Sequence, residues 1–591
     1  MIMGHMKKII TTIIKYRGWL ALFIFPVVHF YLLEAYTHNG LMEVRRWSQV
    51  FNILLFELFA WILFLFLRSV KAALWTEGIL AMVLGLANYY VYTFRSLPLV
   101  PWDLLSVGTA ASVAGNYDFT PTPRVVAVVA GFLAIFVLEG FCKIDTKKWK
   151  WRYSLPAALV ACISMVSFAG VLQQEDFQNR HMMYNKLFTP VFMWQVNGFA
   201  LTMVMELPYL AVEKPLGYQK EEAKGLLESY EPEGEGEKGT DKPNIIVVMD
   251  EAFSDLGVLG DFTASKEYMP YYHSLKEESE TAPNIITGSL HVSVCGGNTA
   301  NTEFEFLTGN TMAFLPQGSV PYQQYIKKNI PALPWYFKEQ GYETHAMHPY
   351  YASGWDRDKV YPLLGFSDLQ FLEGYSNKKY IREYVSDQSC VDKIIETYEQ
   401  KEAGKPMFLF NVTMQNHGAY STVYNDFTPD ITVKGTSSYA LATYLSLIKK
   451  TDEALEALLS YFSKANEPMM VVFFGDHQPN DTVAEPILRQ NGMSYRTLTE
   501  EQTKLRYQVP YLIWANFSLN GNVGNSDTSA NYLGAKVLEA AGMELPAYQA
   551  FLARLSKNCP ILTSVQTDVP GSSGGAIEEY KKLQYYMLFD M

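Results

Sequence analysis

A threonine hydroxyl at the point where a strand gives way to a helix is a ready nucleophile. One stretch of this chain supplies it: Val294-Cys295-Gly296-Gly297-Asn298-Thr299-Ala300-Asn301-Thr302-Glu303-Phe304. The apolar, β-branched run Ile285 to Val294 reads as a strand, two glycines turn the chain, and Phe304, Phe306 and Leu307 follow helical spacing. Thr299 falls at or near the first helical position, where free N–H groups and the helix dipole attract an anion and ease formation of an alkoxide. A threonine there can also be a plain N-cap. The residues gathered around it decide between the two.

Four further segments end apolar strands with groups that bind metal or phosphate. Asn244–Met249 runs into Asp250-Glu251, and Met469–Phe474 into Gly475-Asp476-His477. Pro406–Val412 leads to Asn416-His417; Tyr342–Met347 leads to His348, with Trp355 and Arg357 shortly after. An acid after a strand is commonly a helix cap and a lone histidine commonly a satisfied surface or core residue. In an open α/β sheet, however, ligands sit beyond the carboxyl ends of the strands, so four such ends aim their groups at one crevice. Asp476-His477 is the most telling pair, because adjacent residues share a ligand only where the strand has become a turn, which Gly475 permits. Oxygen donors with one imidazole suit manganese, with magnesium or zinc as alternatives. Together with Thr299 the pattern predicts metal-assisted phosphoryl or sulfuryl transfer.

The elements that must carry this site follow from composition. At 591 residues the chain exceeds one domain, and its apolar, aromatic first part contrasts with ordinary globular composition after about residue 215. Five stretches are long and apolar enough to span a bilayer, near Arg17–Tyr36, Val50–Leu67, Trp75–Thr93, Val125–Cys142 and Leu155–Leu172. Lys7, Lys8, Lys15, Arg17, Arg68, Lys71, Lys143, Lys147, Lys148, Lys150 and Arg152 flank one side, against Arg45, Arg46, Arg95 and Arg124 on the other. Eleven against four places the N-terminus inside and everything after the fifth span outside. Leu97–Tyr117, with Pro98, Pro101 and Trp102, is expected as an interfacial hairpin. Glu57 stands mid-span, either as a functional ionisable group or hydrogen-bonded to a neighbouring helix.

The expected organisation is a transmembrane domain over 1–172, a juxtamembrane segment and linker over 173–242, and a catalytic α/β domain over 243–591. Residues 173–215, with Phe188, Phe192, Trp194 and Phe199, read as lying along the membrane surface, and Gly217–Lys242 as an unstructured linker rich in Glu, Gly and Lys. From Pro243 strands and helices alternate, the signature of a largely parallel sheet. A net charge of −12 with no basic stripe argues against a nucleic-acid partner. The five cysteines form no CxxC pair, so neither a zinc cluster nor a disulfide scaffold is indicated.

Taken jointly, MDEAFSD, GGNTANTEFEFLTG, MHPYYASGWDRD, TMQNHG, FFGDHQP and RYQVPYLIWANF resemble the lipoteichoic acid synthase family over nearly the whole chain. That resemblance implies a bacterial multi-pass cell-membrane enzyme whose extracellular α/β/α domain has the sulfatase/alkaline phosphatase-like fold. It implies a metal, usually manganese, held by Glu251, Asp476, His477 and the Thr299 hydroxyl. It implies Thr299 as nucleophile, carrying a glycerophospho-threonine intermediate, with His348, Trp355, Arg357 and His417 binding the glycerophosphate. Arg357 suits an anion through its donor fork, and His417 could instead serve as acid/base. Better-studied members have an aliphatic residue, Glu and Ser where this chain has Asp250-Glu251-Ala252, so either carboxylate could be the ligand; Glu251 is preferred.

The implied activity moves glycerol phosphate from phosphatidylglycerol onto a glycolipid-anchored or polyglycerophosphate acceptor and releases diacylglycerol. A phosphoethanolamine transferase of the same fold, acting on a lipid or glycan, also uses a threonine and differs only in its donor pocket. Sulfatase chemistry needs a modified Cys or Ser in a C/S-x-P-x-R pattern, which Cys295 followed by Gly-Gly-Asn-Thr fails. A silent domain that only binds an anionic polymer would have no need of the nucleophile and every metal-ligand type.

Overall fold

The computed structural model describes residues 2–40, 42–95, 98–101, 103, 119–144, 151–184, 190–210, 212–230, 242–316, 319–495, 497–521, 524–567 and 574–591. Outside them lie most of the expected Leu97–Tyr117 hairpin including Trp102, Lys147, Lys148 and Lys150, Phe188, and residues 231–241 of the expected linker. The chain divides into two compact units, with the change at Val212.

The first unit contains helices α1 (Ile2–Glu34), α2 (Arg46–Leu67), α3 (Val70–Arg95), α4 (Pro123–Glu139) and α5 (Trp151–Leu172). Among the described residues four stretches are long and apolar enough to cross a membrane: Tyr16–Glu34, Arg46–Leu67, Val70–Phe94 and Trp151–Leu172. Five were expected. α4 forms where the fourth span was placed, but Gly140 ends it after 17 residues, about 25 Å at 1.5 Å per residue. Glu57 is half-buried on α2.

Residues 173–215 also depart from expectation. Helix α6 (Phe199–Glu206) is pinned by polar side chains of α1 and α2, and its free N-terminal amides explain why. Phe199 N donates to Glu34 Oε1 at 2.7 Å and Leu201 N to Asn52 Oδ1 at 2.9 Å. Trp194 and Phe199 are buried beside Phe30, Leu33, Phe56 and Phe132, so these aromatics belong to the helical core.

The second unit is built on strands β1 (Asn244–Asp250), β2 (Ile285–His291), β3 (Glu343–Met347), β4 (Asp368–Gln370), β5 (Tyr380–Ile381), β6 (Tyr384–Val385), β7 (Met407–Val412), β8 (Met469–Gly475), β9 (Gln508–Ala515), β10 (Gly524–Asn525) and β11 (Thr528–Ser529). The main sheet has the order β10-β2-β9-β8-β1-β7-β3-β4, with β11 also pairing β2; β5 and β6 form a separate hairpin. Strands β8, β1, β7, β3 and β4 are parallel, and β9 runs antiparallel to both β8 and β2.

Every residue of β1 is buried, as a run of continuous apolarity demands when helices cover both faces. Ile245, Val247 and Met249 join Phe408, Phe410 and Val472 in one core, while Ile246 and Val248 join Leu409, Val471 and Leu445 in the other. The result is the expected α/β/α layering. The four strands whose ends carry the candidate residues, β8, β1, β7 and β3, are consecutive, about 4.8 Å apart.

Residues 217–230, expected within the linker, fold onto this unit. Helix α7 (Lys220–Glu228) buries Ala223 among Tyr532, Tyr548, Phe551 and Tyr580. Tyr218 Oη donates to Asp590 Oδ2 at 2.8 Å, and Lys220 Nζ to the Asp590 carbonyl at 2.6 Å. The Glu- and Lys-rich face points to solvent, so composition alone concealed the short apolar stripe of Ala223, Leu226 and Leu227.

Gly475 closes β8 where the chain of Phe253 crosses it. A Cβ there would stand 2.0 Å from the Phe253 carbonyl oxygen, which cannot move without disturbing the turn after β1. Gly475→Ala is expected to lower the apparent Tm, with a cost of about 1–3 kcal/mol or more, and a thermal melt of the purified chain checks it.

Candidate active site

Helix α8 (Thr299–Thr308) begins at Thr299, and all ten of its residues are buried. Asn298 precedes it in the left-handed region, φ 66°, and its side chain does not cap the helix, so the first amides stay available to an anion. Thr299 is the first helical residue and not the cap. The helix is docked on the end of β8: Thr302 Oγ1 donates to the Asp476 carbonyl at 2.7 Å, and Gly296 N to the Gln478 carbonyl at 2.9 Å.

That docking brings the Thr299 hydroxyl to Glu251, where Oγ1 donates to Oε2 at 3.4 Å. Ligand atoms of Glu251, Asp476 and His477 all lie within 4.8 Å of one another, and all three residues are buried. Asp476 Oδ1 accepts from Ala252 N and His477 N, both at 2.7 Å, which turns Oδ2 toward the cluster. Ala252 holds φ 51° to make its bond. His477 Nδ1 lies 2.9 Å from the Gln478 carbonyl, so the proton sits on Nδ1 and Nε2 presents a lone pair. That lone pair faces Asp476 Oδ2 at 3.2 Å and Glu251 Oε1 at 3.7 Å.

Acceptors facing acceptors need a cation between them. Asp476 Oδ2 and His477 Nε2 are buried without a hydrogen-bond partner among the described residues, a costly state unless an ion takes their lone pairs. Burial, and next the charge of Asp476, push the Glu251 carboxyl up to about 8. Two carboxylates, an imidazole and an adjacent hydroxyl therefore fit a divalent metal. Asp250 differs from Glu251. Its Oδ1 accepts from Asn416 Nδ2 and its Oδ2 from Thr413 Oγ1, both at 3.0 Å, so its oxygens turn away from the cluster.

The other expected residues form a second group. His348 is buried, with Nδ1 3.0 Å from the Val412 carbonyl and Nε2 3.0 Å from Arg357 Nη1. Burial, then the Arg357 charge, holds its pKa well below the histidine range, so it is neutral and accepts from the guanidinium. Arg357 opens helix α9 (Arg357–Leu364) after Trp355 and Asp356, both left-handed. Trp355 is half-buried and packs against the sheet's core. His417 has Nδ1 3.0 Å from Tyr384 Oη and 3.0 Å from the Gly418 carbonyl; burial keeps its pKa below the ordinary value.

Sequence reasoning missed Glu303. It lies one helical turn after Thr299 and is fully buried. Arg357 Nε donates to its Oε1 and Oε2 at 3.1 and 3.3 Å, Arg357 Nη2 also pairs with Oε1, and Tyr361 Oη donates at 2.7 Å. The fork of Arg357, expected to grip an anion, is thus largely spent on Glu303. An acid inside the apolar run of α8 was the available signal. Burial pushes the Cys295 thiol up to about 11, which disfavours its thiolate.

The Thr299 hydroxyl at a helix start thus stands beside a cluster of metal-donor atoms, at the carboxyl ends of a largely parallel sheet. The chain belongs to the sulfatase family, whose sequence profile matches residues 243–543. It is 30% identical over 558 residues to a Rhizobium meliloti protein provisionally named for cyclic β-1,2-glucan modification, spanning 89% of this chain and 83% of that protein. It is 23% identical over 529 residues to the lipoteichoic acid synthase of Staphylococcus aureus, 83% of this chain and 75% of that one. Among solved structures, the Streptococcus pyogenes phosphoglycerol transferase GacH in complex with sn-glycerol-1-phosphate superposes with a TM-score of 0.52 at 23% identity. The match covers 64% of this chain and 95% of that chain.

Two outcomes are expected. Asp476→Ala and His477→Ala should lose bound metal, read by elemental analysis of protein loaded with manganese, while circular dichroism stays that of the wild type. Glu303→Gln should destabilise the fold by about 3–5 kcal/mol by leaving Arg357 buried without its counter-charge, measured by denaturant titration.

Proposed function

We propose that the chain is a metal-dependent glycerophosphotransferase, taking glycerol phosphate from phosphatidylglycerol through Thr299 to a polyglycerophosphate or glycan hydroxyl. The observation that carries this reading is the Thr299 hydroxyl, at the first position of a buried helix and 3.4 Å from Glu251 in the donor cluster. Glu251, Asp476, His477 and Thr299 would hold the ion, with manganese favoured by the oxygen-rich set. When bound, it supplies positive charge that favours the threonine alkoxide and screens the phosphate.

Thr299 Oγ1 loses its proton to solvent and attacks phosphorus, the bond to the diacylglycerol oxygen breaks as that oxygen takes up a proton from solvent, and glycerophosphate remains on the threonine. The first amides of α8 then face the phosphoryl oxygens. His417 suits the second half: held neutral at pH 7, it can take the proton of the acceptor hydroxyl. His348 and Arg357 form the anion-facing wall, with Glu303 holding the guanidinium in place, and Trp355 borders the group transferred. The names of the relatives support glycerol phosphate as the group moved. The Rhizobium relative favours a glucan acceptor as the second reading.

The basic-residue asymmetry supports an outward-facing catalytic unit. With the N-terminus inside, that orientation requires α4 to cross the membrane; its 17 residues are at the short limit for a span. Protease added to intact cells is then expected to cut within 231–241, read on a denaturing gel; cleavage only after lysis would reverse the orientation.

Labelled phosphatidylglycerol tests the chemistry. Without acceptor, a glycerophosphate adduct should appear on the peptide containing Thr299, with one diacylglycerol released per adduct. Thr299→Ala should abolish both and Cys295→Ala neither. Normal diacylglycerol release by Thr299→Ala would remove the threonine from the mechanism, and an adduct formed only from phosphatidylethanolamine would change the donor.

A further inference from the structure

Asp250 is the last residue of β1, wholly shielded from water, and nothing above gives it work. Its surroundings are specific. Oδ2 accepts from Thr413 Oγ1 and Oδ1 from Asn416 Nδ2, each at 3.0 Å. Both partners belong to the loop that leaves β7 and ends at His417. Thr413 Oγ1 in turn accepts the backbone N–H of Glu251 at 3.0 Å. Asn416 Nδ2 also donates to Thr451 Oγ1 at 2.8 Å, and the Thr451 hydroxyl donates to Asp387 Oδ2. Thr451 lies on helix α11 (Tyr439–Phe462) and Asp387 opens helix α10 (Asp387–Gln400).

One carboxylate thus grips the loop at both of its ends, Thr413 and Asn416, while Thr413 grips the amide of Glu251. A buried carboxylate beside a second one, Asp387, is an expensive way to fill space, and an apolar residue on β1 would be cheaper unless the bonds are needed. We propose that Asp250 is a positioning residue, which sets the place of His417 relative to Glu251 and is not itself a metal ligand. The inference rests on the reading of His417 as the acid–base group. In physical terms, His417 has no rigid element of its own. Its backbone N–H bonds Met414 within the loop, Thr413 N donates to the Met249 carbonyl of β1 at 3.1 Å, and Arg382 Nη2 donates to the carbonyls of Gln415 and His417, both at 2.7 Å. Asp250 is the β1 side chain that ties the far end of the loop, Asn416, back to the strand.

Full-length Asp250→Ala and Asp250→Asn test this. In Asp250→Ala, kcat for glycerophosphate transfer to acceptor is expected to fall about 10- to 100-fold, the range seen when outer partners of a site are removed. KM for phosphatidylglycerol and bound manganese should stay those of the wild type. Amide hydrogen exchange across 413–420 should rise. Asp250→Asn keeps one acceptor and should recover part of kcat; it carries the test if the alanine variant does not fold. In a His417→Ala background, Asp250→Ala should cost little more, because the two act as one unit.

Loss of manganese together with kcat would overturn the proposal, since Asp250 would then be a ligand. Wild-type kcat and exchange would overturn it as well, and so would a lowered Tm with unchanged kcat. Full turnover by His417→Ala would overturn the acid–base reading itself. The exchange measurement separates that failure from a failure of Asp250 to hold the loop, because it needs no turnover.

Discussion

Negative charge shut away from water governs this active site. Asp250, Glu251 and Asp476 end two adjacent parallel strands and are all buried, as is Asp387 behind them. No arrangement of apolar neighbours tolerates such a group, so the surroundings of each oxygen had to be built. Two backbone amides, one of them from the strained Ala252, serve one oxygen of Asp476, a threonine and an asparagine serve Asp250, and a threonine serves Asp387. What is left over, an oxygen of Asp476 and a nitrogen of His477, is the part of the cluster that only a cation completes. The candidate metal site is therefore what the hydrogen bonds of this cluster leave unfilled.

The same logic organises the far wall. Glu303 and Arg357 neutralise each other in the interior, and the pair bridges α8 to the start of α9. Because Glu303 is one helical turn from Thr299, any rotation of α8 that moved the hydroxyl would also break the ion pair. Thr299 thus keeps a fixed position relative to the guanidinium, which in turn contacts His348 directly at 3.0 Å. Pre-organisation of this kind suits phosphoryl transfer, where positioning and charge do most of the catalysis.

The strands of the site were plain in the sequence because they are buried on both faces. Runs such as NIIVVM and MMVVFF admit few alternatives, and their polar ends mark where each strand stops. Thr299 at a helix start and the pairing of Asp476 with His477 were legible for the same local reason. Glu303 and the hold of Asp250 on its loop were not, since both depend on contacts between segments more than fifty residues apart. Two stretches misled through composition. Trp194 and Phe199 looked interfacial because aromatics alternate with polar residues there, yet the polar partners, Glu34 and Asn52, lie on other helices. The α4 helix read as a full span because Phe141 and Cys142 continue its apolarity past the glycine that stops it.

The hold of α7 on the C-terminal end means that this chain can be nicked without being parted. Ala223 is packed among aromatic side chains of the last helices, and Tyr230 lies against Phe551 with ring centroids 5.3 Å apart. A cut anywhere in 231–241 would sever the covalent chain while Val212–Tyr230 stayed clasped to the catalytic unit, tethering it to the membrane-facing helices by packing alone. Shedding and scission are therefore separate events in this protein. A soluble fragment begun at the first strand would carry an uncovered apolar groove where α7 had been, whereas one begun at Val212 would bring its own cover.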